Sequence, residues 1–166
     1  MDIPLPLHLF IHFSMAVLTG YFCGKYFKNI FLGIIAGVLG GFLIDFDHIL
    51  EYLLVYDWHF NLVHFFEGRQ FLYSEKIHLW FHAWEYFPLL LLLAYFLRKY
   101  KKLKIFLITL AIAGAVHLLS DSVINIVPPK FYTLSYRASQ DFSMKNLSSE
   151  EIYQLNMELK ENLGIE

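Results

Sequence analysis

The sequence predicts an all-α integral membrane protein, a four-helix bundle followed by an extramembrane tail with a short amphipathic helix. Three observations carry this expectation. The 166 residues are 57% hydrophobic and 19% aromatic, with a mean hydropathy of +0.48, more apolar surface than one domain of this length buries. Four apolar runs approach or exceed the ~20 residues needed to cross the hydrocarbon. A tight basic turn, Arg98, Lys99, Lys101, Lys102 and Lys104, separates two of these runs.

The first span is expected over residues 7–24; it lacks a basic leader and a small-residue cleavage site, so it reads as a retained helix. The second covers residues 30–56, with Gly33, Gly37 and Gly41 at four-residue spacing. Gly20, Gly24, Ala111 and Ala115 on its neighbours let backbones approach closely, and together they predict a packed floor to the bundle. The third run, residues 77–97, contains Pro88, which is expected to kink it. The fourth covers residues 103–127 and closes a metal-binding domain of residues 1–127. In the tail of residues 128–166, Ser148 and Glu151 predict a capping box, and Ile152, Leu155, Leu159 and Leu163 follow helical spacing up to Gly164.

Basic residues resist translocation. Lys25, Lys28 and the basic turn at 98–104 are therefore expected in the cytoplasm, with both termini outside a bacterial or archaeal cell membrane. A net charge of −2 argues against nucleic acid as a partner, and the lone Cys23 excludes an internal disulfide. Membrane lipids are the expected surroundings, and the sequence does not fix an oligomeric state.

Depth along each helix brings the polar residues together. At about 1.5 Å per residue, His12, Asp45, His82 and His117 each lie ~20 to 25 Å from the basic anchor of their own helix. All four helices thus place an ionisable group in the outer half of the membrane. Positions four apart share a helix face, which pairs His78 with His82 and His117 with Asp121; Asp45 and His48, three apart, share one too. Asp45, Asp47, Glu85 and Asp121 would bury up to four negative charges with no Lys or Arg at their depth, a cost of several kcal/mol each. Cations among them would remove that cost. Histidine nitrogen with carboxylate oxygen suits Zn²⁺, Mn²⁺ or Fe²⁺, zinc foremost. Asp47 and Glu85 are the carboxylates expected to serve as catalytic bases. Residues 57–76, with Phe65, Phe66 and Arg69, are expected as either a lid that contacts phosphate or a loop anchored by its aromatics. His8, His59 and His64 read as solvated interfacial side chains, and Trp58, Trp80 and Trp84 as an aromatic belt.

A His in the first helix, Asp45-Phe46-Asp47-His48 closing the second, a His before the third and His117-x-x-x-Asp121 in the fourth resemble a known family. It is the membrane-bound metal-dependent hydrolases of the LexA-binding, inner-membrane-associated type. That family is distantly similar to zinc-dependent phospholipase C and the single-strand-specific zinc nucleases. The resemblance covers about residues 8–125 and implies His12, Asp45, His48, His82, His117 and Asp121 as metal ligands or near-ligands. It also implies hydrolysis of a phosphoester or another amphiphile. A non-catalytic metal-binding protein and a metal or proton transporter are the competing expectations.

Overall fold

Uninterrupted apolar sequence between basic and polar breaks gives long helices here, because each backbone group finds its partner within the segment. The computed structural model describes residues 5–165. Helix α1 (Leu5–Tyr26) ends at a turn in which Lys28 takes a positive φ, and Asn29 caps α2 (Ile30–Gly41) by accepting from the Leu32 amide. A 3₁₀ turn (Leu43–Asp45) leads directly into α3 (Phe46–Val55). Two short helices follow, α4 (Leu62–Phe66) and α5 (Arg69–Ser74). After a non-helical loop come α6 (Tyr86–Phe96) and α7 (Lys101–Ile124). The tail adds a 3₁₀ turn (Pro129–Tyr132), α8 (Leu134–Ser139), α9 (Met144–Leu147) and α10 (Glu150–Asn162). There are no strands among the described residues.

Among the described residues, three segments are long and apolar enough to cross a membrane: Leu7–Tyr26, Ile30–Val55 and Lys101–Ile124. The expected fourth is corrected. Within residues 77–97 only α6 is helical, and its 11 residues cover about half of a ~30 Å hydrocarbon layer. The backbone amides of His78, Leu79, Phe81 and His82 donate to the carboxylates of Glu51 and Asp47, which take the place of helical carbonyls. Pro88 is the third residue of α6, in the first turn where its missing N–H costs nothing, so it does not kink the helix.

Small residues set how the spans pack. A Cβ built on Gly20 would lie 2.6 Å from the Gly33 carbonyl oxygen, one on Gly37 2.5 Å from that of Ala16, and one on Gly40 2.5 Å from that of Leu110. Helices α1 and α2 therefore touch backbone to backbone, as do α2 and α7. The contacts also fix direction: α2 runs antiparallel to α1 and parallel to α7, which puts Lys25, Lys28 and the 98–104 turn at one end. At the other end the tail wraps the loop before α6. Trp84 N–H donates to the Tyr132 carbonyl, Ile77 N–H to that of Phe142 and Met144 N–H to that of Glu75. Helix α10 is capped by Ser149 and not by the expected Ser148; the Ser149 Oγ accepts from the Ile152 amide. Lys160 ties α10 back to Glu75 at 2.8 Å.

Candidate metal centre

Four buried or half-buried side chains meet at the end of the bundle away from the basic turns. Parallel packing of α2 on α7 carries Asp45, on the 3₁₀ turn, to His117 and Asp121. The loop before α6 brings in His82. His82 Nδ1–H donates to Asp47 Oδ2 at 2.9 Å, and His117 Nδ1–H donates to the Gly41 carbonyl at 3.0 Å. A carboxylate and a carbonyl only accept, so both rings are fixed with Nε2 turned inward.

Those two Nε2 atoms lie 3.1 Å apart. His82 Nε2 is 3.3 Å from Asp45 Oδ1 and 3.4 Å from Asp121 Oδ2; His117 Nε2 is 3.4 Å and 3.1 Å from the same two oxygens. A tetrahedral ion with bonds of ~2.0 to 2.1 Å has ligand-to-ligand edges of about 3.3 Å. His82 Nε2, His117 Nε2 and Asp121 Oδ2 meet at about that spacing, and Asp45 Oδ1 approaches the same two nitrogens. Protons on both Nε2 atoms would set two imidazolium groups head to head, whereas one cation would satisfy the acceptors of His82, His117 and Asp121 together. The donor set fits a divalent metal.

A second group forms on the other oxygen of Asp121. His12 Nε2 lies 3.1 Å and His8 Nε2 3.7 Å from Asp121 Oδ1. His12 Nε2 is buried without a hydrogen-bond partner, and His12 Nδ1 is 2.6 Å from His117 Nδ1. His8, which reads from sequence as a solvated side chain, therefore joins the cluster. His48 stands at its edge, with Nε2 4.0 Å from Asp45 Oδ1 and a third of its side chain exposed.

The two expected bases have other partners. Asp47 is fully buried, and its Oδ2 orients His82 while accepting the Phe81 and His82 amides. Glu85 lies outside the cluster, where it accepts from the Leu134 and Ser135 amides and the Ser135 hydroxyl. Burial pushes its carboxyl up, but these donors outweigh burial and hold it below the usual carboxylate range.

Two supporting residues escape a reading of the sequence. Glu51, 1% exposed, accepts from the His78 and Leu79 amides and from His78 Nδ1. Its position four residues after Asp47, on one helix face, was the available signal. Arg137, a lone arginine in the polar tail, is fully buried. Its guanidinium donates to the carbonyls of Phe131, Leu79 and His82 at 2.8 to 3.0 Å. Leu79 holds a positive φ of 43°, a strained backbone fixed by Glu51 on its amide and Arg137 on its carbonyl.

The cluster opens to a cavity of about 580 Å³, within the range of small-molecule sites. His8, Asp45, His48, His82 and Asp121 form its polar end; α4, α5, the loop before α6 and the tail supply most of the rest. Arg69 does not line it. That side chain is paired with Glu67 at 2.6 Å. No protein-family model matches the chain, and comparison with curated proteins and with solved structures finds no match to it.

Proposed function

We propose that this chain is a membrane-spanning, metal-dependent hydrolase acting on a phosphoester or lipid-like substrate at the outer end of its helices. Zinc is the favoured ion, with manganese or iron as alternatives. The observation that carries the reading is the convergence of His82 Nε2, His117 Nε2 and Asp121 Oδ2 at metal-ligand spacing, with Asp45 Oδ1 against the same nitrogens, beside an open cavity. The family resemblance in the His and Asp motifs agrees with it. A bound divalent ion supplies a lowered water pKa and a polarised ester.

The protein's own groups do the rest. Asp47 and the Gly41 carbonyl hold the two imidazoles in the tautomer that faces the ion, as metal-binding histidines require. His48 lines the cavity at the rim of the cluster, placed to take a proton from water and return it to the leaving group. The transporter alternative finds no support in the glycine-packed floor, where α1 and α2, and α2 and α7, touch backbone to backbone.

Elemental analysis of the purified protein, paired with a phosphoester and lipid hydrolysis screen, tests the reading. Wild type should hold at least one divalent ion per chain. Asp121→Asn and His117→Ala should lower metal content sharply while membrane insertion persists, because the apolar spans that drive insertion are untouched. Unchanged stoichiometry in both variants would remove the metal site and the hydrolase with it. Metal without turnover leaves a metal-stabilised scaffold.

A further inference from the structure

The cavity beside the metal cluster has a chemical bias. Phe65, Phe71, Leu72, Leu79 and Phe131 supply much of its wall, and no Lys or Arg lines it. Arg137 directs Nη1 and Nη2 to three backbone carbonyls, keeps Nε buried without a partner, and does not line the cavity. Four carboxylates, Asp45, Asp47, Glu51 and Asp121, gather at the centre, and Glu67 adds a fifth to the cavity wall. A phosphate anion would enter against that charge with no cationic side chain to receive it. A neutral group would not. Gln70, 2% exposed, adds an uncharged amide to the wall, and its Oε1 is buried without a hydrogen-bond partner. As an acceptor, Oε1 would take an N–H or O–H donor from a neutral group next to an apolar chain, as an amide supplies.

We infer that the substrate is a neutral acyl ester or amide whose hydrocarbon chain lies in this cavity, with its carbonyl at the cluster. The inference rests on the hydrolase reading above and narrows it against phosphoesters. The reaction is acyl transfer to water. The water oxygen bonds to the acyl carbon, the bond from that carbon to the alcohol oxygen or amine nitrogen breaks, and the water's proton passes to the leaving group. The products are a carboxylic acid and an alcohol or amine.

Two measurements on the full-length, zinc-loaded protein in detergent test this. The first compares 4-nitrophenyl acetate, butyrate and octanoate with bis(4-nitrophenyl) phosphate. The expected result is kcat/KM rising with chain length, by up to about 10-fold per two methylenes, and no turnover of the phosphodiester. Turnover of the phosphodiester without chain-length dependence would overturn the substrate class and leave the hydrolase standing. No turnover of any probe by metal-loaded protein would sink both.

The second measurement is independent of activity. A diazirine-bearing dodecanol should label residues 65–72 and 127–144, mapped by mass spectrometry. Dodecanamide should compete at least ~10-fold better than dodecyl phosphate, and equal competition would overturn the neutral-substrate inference. Ile77→Trp, which narrows the cavity, should reduce that labelling at unchanged metal content. Undiminished labelling in a metal-replete variant would place the chain elsewhere.

Discussion

Arg137 is the residue whose position departs furthest from what its type predicts. A lone arginine in a polar tail is ordinarily solvated, yet here it is fully buried and bonded to three carbonyls across 6, 58 and 55 residues of chain. No periodicity marks such a side chain, because its partners are backbone groups of a loop. Burial lowers its pKa, and it still remains charged at any physiological pH. Arg137→Met should strand the Leu79 and His82 carbonyls and cost about 2 to 4 kcal/mol, read as a lower thermal midpoint in detergent and a loss of bound metal. An unchanged midpoint would mean that water or another donor replaces the guanidinium. Glu85 gives a pH signature. Its carboxyl is held below the usual range, so its contribution is present above the unfolded pKa of about 4.3 and is lost as pH falls through the folded value. The protection of the Leu134 and Ser135 amides relative to their intrinsic exchange rates should therefore fall on acidification below about pH 4, and Glu85→Gln should abolish that dependence.

At the scale of elements, apolar length and glycine spacing made α1, α2 and α7 legible, and depth with helical periodicity brought out His12, Asp45, His117 and Asp121. The segment before α6 was not legible in the same way. Its apolar, aromatic sequence reads as helix, but carboxylates on α3 capture its amides and draw it into an extended loop. Those bonds come from residues 27 to 35 positions away, beyond any local pattern. His82 was expected at the site, but by a different route, through a helix that does not form there. The glycine contacts are a sharper matter. Gly40→Leu would drive a side chain into the Leu110 carbonyl and force α2 from α7. We expect a cost of about 1 to 3 kcal/mol with reduced metal content, since Asp45 and His117 sit on either side of that contact. Thermal unfolding and metal analysis of the same sample check it, and a variant with wild-type values on both would show that the two helices separate without disturbing the centre.

For the whole molecule, the placement of both basic turns at one end predicts a single orientation in the membrane. Cysteine introduced at Lys101 should resist labelling from outside intact cells, whereas cysteine at Lys145, in the tail, should react. Labelling of position 101 from outside would invert the protein and place the cluster on the cytoplasmic side. The half-length of α6 does not change this expectation, because α6 still returns the chain to the basic end.

The tail's grip on the loop before α6 also sets an order of events during synthesis. His82 leaves the ribosome 55 residues ahead of the Arg137 side chain that fixes its carbonyl. The spans can insert and pack as they emerge, and Asp47 and Glu51 can take the loop amides at once, but the Leu79 and His82 carbonyls stay without their donor until Arg137 has been made. His82 is therefore locked in place from one side first and from the other only after the tail has followed it out.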